Sequence, residues 1–421
     1  MDLKNYGLEI LLSTLGIPDL FRPYIQGQDA KLELMAKYLK GDLIEETARD
    51  PLIPKVNLLL KEIEKDIEEN LPPNLPYVKK WYWPNWKEYA LCISHDIDKI
   101  SESRSHIWKI RERFSKMTVL KALLGISNPY KNFKSFMKLE KRYGVRSSFY
   151  FLANEYDFEK ISKEIRSLKE NQMDLGLHGR FGTHTNQNKL IEDKEKLEQI
   201  FGQSIHGTRQ HFLKFEFPTT WDVQNKSNLL YDTTVGFNDK IGYKIGFAFP
   251  FFPPDHNLNP LQLIELPLII MDAALWTWLK LTEESALQTI QQIRDTIKQY
   301  NGLFTILWHQ CTLKMRGGRI YGKVLEKLVD NSVYVSNGAE IARWWRARNA
   351  FQIKINPIDN KITILFQNPE SIQNLGIIIK AKQKLEIISI SSNLEIIQKT
   401  PTELKLTFLK GDSGELELKM V

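Results

Sequence analysis

The 421-residue chain predicts an α/β protein: a distorted (β/α) barrel of seven or eight strands, a helical segment before it and a small antiparallel β domain after it. Three observations carry this expectation. Between residues 89 and 348, short apolar runs alternate with amphipathic helical patterns, the texture of a mostly parallel sheet. Before Leu71 the apolar spacing is helical, and after Asn349 it switches to the two-residue alternation of half-buried strands.

The segment 1–75 opens the chain. Leu8-Glu9-Ile10-Leu11-Leu12 and Val56 through Ile67 have helical spacing, and Leu71-Pro72-Pro73-Asn74-Leu75-Pro76 breaks the pattern into a linker. The barrel is assigned to 76–348. Its strand candidates are 89–95, 147–152, 173–178, 204–208, 243–249, 262–270, 303–309 and 332–335. Helical patterns lie between them at 131–143, 159–170, 187–201, 219–230, 282–300 and 320–330. Thr282-Glu283-Glu284 gives one of these an N-cap and an acidic first turn, and Gly302 a stop. The stretch Ser101 to Asn132 exceeds a normal connection and reads as a helical insertion near the barrel mouth. Residues 349–421 form the small all-β domain, with Lys361 to Phe366 and Glu403 to Phe408 as its clearest strands.

Composition narrows the class. Hydrophobic residues at 42% and charged residues at 26% fit a soluble globular protein. The formal charge of +7 comes from dispersed lysines, with no arginine-rich helix to read nucleic acid. Such a balance favours acidic or phosphorylated substrates, or peripheral contact with an anionic membrane surface. Cys92 and Cys311 each sit in an apolar run and read as buried free thiols of a reducing compartment. The N-terminus has no basic stretch followed by an apolar one, and Leu261 to Leu279, the most apolar window, is interrupted by Glu265, Pro267 and Asp272. A cytoplasmic protein without a transmembrane segment is expected. The aromatic run Trp81-Tyr82-Trp83-Pro84-Asn85-Trp86 suits a packed domain junction or a carbohydrate-binding face.

The chemistry concentrates at strand ends. Asp96 and Asp98 close the apolar run Tyr89 to Ile93, and in extended chain their side chains share a face. Taken alone, the pair suits a metal site, acid/base catalysis or a solvated strand end. Three further polar residues end strand candidates: His178, Arg209 and His309. Strand C-termini of a barrel converge on one mouth, so these residues belong together. One carboxylate with His178 and His184 could hold a divalent metal, if the glycine-containing loop 179–183 turns both imidazoles inward.

These motifs resemble those of the polysaccharide deacetylase (NodB-homology, carbohydrate esterase family four-like) family, over roughly residues 89–348. Ser94-His95-Asp96-Ile97-Asp98 is similar to the first motif of a divergent branch that has SHDxD in place of the family's usual TFDDG. Tyr143 through Leu152, Tyr231 through Phe237 and Glu265 through Asp272 also resemble that branch. The resemblance implies Asp96 as catalytic base, Asp98 and His178 as metal ligands, Arg209 as the residue orienting the base, and His309 as general acid. The family spaces its metal histidines four apart, but position 182 is Gly. Either His184 serves as the third ligand from further along the loop, or the metal shell is incomplete or altered. His211, with Trp308, is expected to contact substrate or lie behind the site, and His211 is the alternative ligand.

The implied function is metal-dependent hydrolysis of an N-acetyl, or an O-acetyl, group on a sugar, with Zn, Co, Mn or Ni as the metal. In the cytoplasm the substrate would be a glycan precursor, an amino-sugar conjugate linked to a nucleotide or a lipid. Two rivals are an amidohydrolase acting on a small non-sugar amide and a carbohydrate-binding barrel that has lost its metal.

Overall fold

The computed structural model describes residues 1–421. Its first strand is β1 (Tyr77–Lys80). The barrel sheet comprises β2 (Tyr89–Ile97), β3 (Ser148–Phe151), β4 (Asp174–Gly179), β5 (Gly207–Gln210), β6 (Tyr231–Asp232), β7 (Ile264–Glu265), β8 (Ile270–Met271), β9 (Leu303–Leu307) and β10 (Val333–Val335). Every pairing in it is parallel, in the order β7-β6-β5-β4-β3-β2-β9-β8, with β10 beside the first half of β2. The two ends of that order, β7 and β8, are consecutive in the chain. Residues 266–269 join them, donating from Leu266 N–H to Asp232 O and from Ile269 N–H to Thr305 O, so the sheet curls almost into a closed barrel.

Two glycines shape the interior. A Cβ on Gly176 would sit 2.4 Å from the Tyr150 ring, and one on Gly207 would sit 2.0 Å from the Tyr231 ring. Their absent side chains let Tyr150 and Tyr231 fill the barrel, joined hydroxyl to hydroxyl at 2.8 Å. Outer helices follow the expected pattern, including Glu283–Gln299. There the Thr282 hydroxyl accepts from Ser285 N–H, and Gly302 N–H closes the end on Ile297 O.

Two strand expectations fail. Residues 243–249 form no strand. Two of their backbone groups go to the N-terminal segment, with Tyr243 N–H donating to Pro51 O and Gly246 O accepting from Val56 N–H, while Ala248 O accepts from Leu303 N–H at the start of β9. The run's apolar character instead serves the aromatic core around Phe247 and Phe249. Expected strand 262–270 is split into β7 and β8, and the two-residue β6 lies where no strand was expected. Strands this short carry too few residues for a periodic signal.

The N-terminal helices Leu3–Leu15, Asp29–Leu39 and Lys55–Asn70 share one continuous core with the barrel and the C-terminal strands. That last region is a sandwich of two four-stranded antiparallel sheets. One contains β11 (Gln352–Ile358), β12 (Lys361–Gln367), β14 (Leu385–Ile390) and β17 (Ser413–Met420). The other contains β13 (Leu375–Lys380), β15 (Leu394–Lys399) and β16 (Glu403–Phe408), and its edge is β1. Tyr77–Lys80, counted with the barrel from sequence, therefore completes the sandwich, pairing in register from Tyr77↔Lys380 to Lys80↔Ile377.

The aromatic run 81–86 packs the junction. Trp83 is buried against Trp345 and Tyr334, and Trp86 Nε1–H donates to Thr407 Oγ1 of the sandwich. Beside it the buried Arg348 guanidinium donates to the carbonyls of Ser13, Thr14, Lys80 and Trp81, tying three regions together. No helix is long and apolar enough to cross a membrane.

Candidate active site and metal centre

Strand register assembles the site. β2 places Asp96 on the pocket side and sends His95, one residue earlier, to the helix layer. β4 and β5 pair His178 with Arg209, so two residues beyond Arg209 the chain is still beside His178. The pocket, about 590 Å³, opens at the strand C-termini and is lined by Asp96, Asp98, His178, His211 and His309 among others.

Asp98, His178 and His211 each point one ligand atom into a common space, all within 4.8 Å of one another. Nε2 of His178 lies 3.3 Å from Asp98 Oδ1, and Nε2 of His211 lies 3.6 Å from the same oxygen. Neither contact is aligned as a hydrogen bond: Asp98 Oδ1 and His178 Nε2 are both buried without a partner. Buried polar atoms are nearly always satisfied, so two orphans facing each other mark a place built for a third party. A carboxylate oxygen and two imidazole nitrogens form a donor set that fits a divalent metal with open positions. His178 is pre-oriented for it, its Nδ1–H donating to Arg209 O at 2.9 Å.

The charges agree. Burial works against ionised Asp98, but His178, His309 and His211 outweigh it and hold the carboxyl well below its usual range. Burial, reinforced by His178, lowers the pKa of His211 and so favours the neutral imidazole that a metal requires. Burial also opposes a charge on His178, but Asp96 and Asp98 leave its pKa raised.

Asp96 stands beside this trio, its Oδ2 lying 3.8 Å from His178 Nε2. The wholly buried Arg209 donates from Nη1 to Asp96 Oδ1 at 3.0 Å. The guanidinium is locked by Thr233, which accepts from Nε at its carbonyl and from Nη2 at its hydroxyl, and it lies over the Tyr150 ring. On the opposite wall His309 Nδ1–H donates to buried Asp272 at 2.6 Å, and Asp272 also accepts from His309 N–H and the Thr312 hydroxyl. Burial disfavours imidazolium at His309, yet Asp272, then Asp98 and Asp96, raise its pKa to about 10.

His184 and Trp308, two expected site residues, do not line the pocket. His184 is not among the converging ligand atoms, and His211 stands in the position expected for it. The turn after β4, closed by Thr183 N–H on Arg180 O, ties Thr183 Oγ1 to Gln210 Oε1, and His184 follows that anchor without reaching Asp98. Trp308 is a core residue: it is fully buried against Tyr321 and Trp276, donates to Gly318 O, and does not line the pocket. Asp272, given no role from sequence, carried the same signal as the other residues, a polar group closing a short apolar run.

Phe212 and Leu213, just after His211, have left-handed backbone (φ 56° and 49°), a conformation unfavourable for residues other than glycine. The kink stacks the Phe212 ring on His211 at 4.0 Å and leaves Phe212 as an exposed wall of the pocket.

No family model matches the chain, and no curated protein matches it. Solved structures with partial likeness include a putative polysaccharide deacetylase from Mycobacterium smegmatis, 18% identical, with 66% of this chain and 96% of that one covered and a TM-score of 0.47. A peptidoglycan deacetylase from Bacillus subtilis is 12% identical, with 64% and 96% covered and a TM-score of 0.33. A CE4 family pseudoenzyme from Bacillus anthracis is 9% identical, with 65% and 70% covered and a TM-score of 0.35. With all three TM-scores below 0.5, the functional reading rests on this chain's own residues.

Proposed function

We propose that this chain is a metal-dependent deacetylase of the polysaccharide deacetylase family, hydrolysing an N-acetyl, or an O-acetyl, group on a sugar. The observation that carries the reading is the pair of buried, partnerless atoms, Asp98 Oδ1 and His178 Nε2, facing His211 at a mouth that Asp96 and His309 also line.

Asp98, His178 and His211 would hold the ion, with Zn, Co, Mn and Ni all suited to a carboxylate and imidazole set. A divalent cation there would supply a water of lowered pKa and a Lewis acid for the acyl carbonyl. The remaining work falls to the protein. Asp96, aligned by Arg209, takes a proton from water as its oxygen bonds to the acyl carbon. His309, aimed by Asp272, whose carboxylate favours its imidazolium form, gives a proton to the nitrogen as the C–N bond breaks, releasing acetate and a free amine.

The substrate assigned is an amino-sugar conjugate, a glycan precursor met in the cytoplasm; unpaired Cys92 and Cys311 fit that compartment. Recovery of the protein outside the cell would refute this placement. Metal analysis of the purified chain, with acetate release from N-acetylglucosamine conjugates compared with release from small linear and cyclic amides, tests the function. Asp96→Asn is expected to keep its metal and lose turnover by about 10²- to 10⁴-fold. A chain that binds no divalent ion and releases no acetate after adding Zn, Co or Mn would leave a carbohydrate-binding barrel as the better reading.

A further inference from the structure

Between β2 and the helix Phe133–Arg142 the chain leaves the barrel for an insertion whose outer surface the reaction does not use. Two short helices, Arg104–Lys109 and Lys116–Leu123, are capped by Ser103 and Ser115, whose hydroxyls accept from His106 N–H and Thr118 N–H. Their inner side has a small core of its own: Ile107, Phe114, Val119, Ala122 and Tyr130. It is fixed to the loop after β9 by the Phe114–Met315 bridge and by Arg316 N–H donating to Arg113 O. Because β2 and β9 are neighbours and both connections leave their C-terminal ends, the insertion sits on the mouth face of the barrel.

The outer side is unlike the rest of the surface. Trp108, Met117, Leu120, Leu124 and Ile126 are 52–69% exposed. Three of them, at 117, 120 and 124, follow helical spacing and form one stripe, so this element is apolar on both faces. The stripe is interleaved with cations. Residues 101–126 hold six Lys or Arg and two Glu, a net of +4 (6 − 2) within a chain of net +7. Arg111 lies over the Trp108 ring at 4.7 Å, and a groove of about 360 Å³ runs between Trp108, Leu120 and Leu123 with Arg111 and Arg316 along it. A second group shares this face: exposed Phe212 and Trp278 line the pocket mouth, and Lys214 stands over exposed Phe181.

We propose that this face docks on an anionic lipid bilayer. A short apolar stripe with Lys and Arg set among it suits shallow insertion among acidic headgroups, where apolar burial and charge attraction add. The binding is peripheral and reversible, consistent with the absence of a spanning helix. It presents the pocket mouth to the membrane surface. It does not depend on the reaction proposed above.

Flotation of the full chain with phosphatidylcholine vesicles, with and without phosphatidylglycerol, tests the proposal. Binding is expected only to the mixed vesicles and should fall steeply with added salt. The double variants Leu120→Glu/Leu124→Glu and Lys116→Glu/Lys121→Glu should each weaken it about tenfold or more. Trp108→Ser provides an independent variant if either double variant misfolds. Asp96→Asn should float like wild type, which separates failure of docking from failure of the catalytic reading. Absent flotation, equal binding to neutral vesicles, or a dimer that Leu120→Glu/Leu124→Glu disperses would overturn it, the last by making the face a contact between two copies.

Discussion

His95 and His178 are both buried, and both belong to barrel strands, but their surroundings differ in kind. His95 faces the helix layer with both nitrogens occupied: Nδ1 donates to Trp308 O, and Nε2 meets Glu140 Oε1 at 2.7 Å. Glu140 in turn accepts from the Tyr321 and Ser147 hydroxyls. Around His178 the polar network stops short, with Nε2 and the nearest Asp98 oxygen both unsatisfied. A closed network spends its polar groups on holding the fold together. An open one of the same residue types keeps them for a ligand, at a cost in stability.

The sharpest way to break this contrast is to remove one carboxylate from each region. Glu140→Ala strands a buried imidazole and two hydroxyls and should destabilise the protein by about 3 kcal/mol in a denaturant titration, with metal affinity unchanged. Asp98→Ala should abolish metal binding while shifting stability by less than about 1 kcal/mol. Equal stability losses in the two variants would erase the distinction. A smaller effect is expected from Asp272→Asn, which leaves His309 without its carboxylate. Turnover should fall about 10- to 100-fold with bound metal retained. That pair also carries a signature in pH. His309 has its pKa raised in the folded protein, so the stability it gains from Asp272 is complete below its ordinary value near 6.5. It is lost as pH rises toward about 10. Melts of metal-stripped wild type and Asp272→Asn should therefore converge across that window. The smallest effect belongs to His184→Ala, expected to change metal affinity and turnover less than about twofold. A hundredfold loss there would return His184 to the metal centre.

What could be read from sequence followed from regularity. Asp96, Asp98, His178 and His309 were legible because each ends a strand-like run, and a curled parallel sheet gathers such ends at one mouth, with Arg209 ending its own strand behind them against Asp96. His211 was harder to place because its position depends on the His178↔Arg209 register and on the left-handed kink at Phe212, neither of which leaves a periodic trace. For Trp308 the sequence left substrate contact and a place behind the site open; it neighbours His309 in the chain but turns into the core. The strand 243–249 failed because apolar content does not reveal whether a backbone pairs in a sheet ladder or, as here, scatters its bonds between the N-terminal segment some two hundred residues away and the start of β9.

β1 has a consequence for how the molecule is made. Lys80 pairs with Ile377, 297 positions later (377 − 80), so this edge of the sandwich leaves the ribosome long before its partner exists. Until then its row of backbone donors and acceptors is open, and it closes only after almost the whole chain is available. Translation arrested after the barrel should therefore yield a nascent chain with an unpaired strand at 77–80. The last step of assembly joins material from the two ends of synthesis.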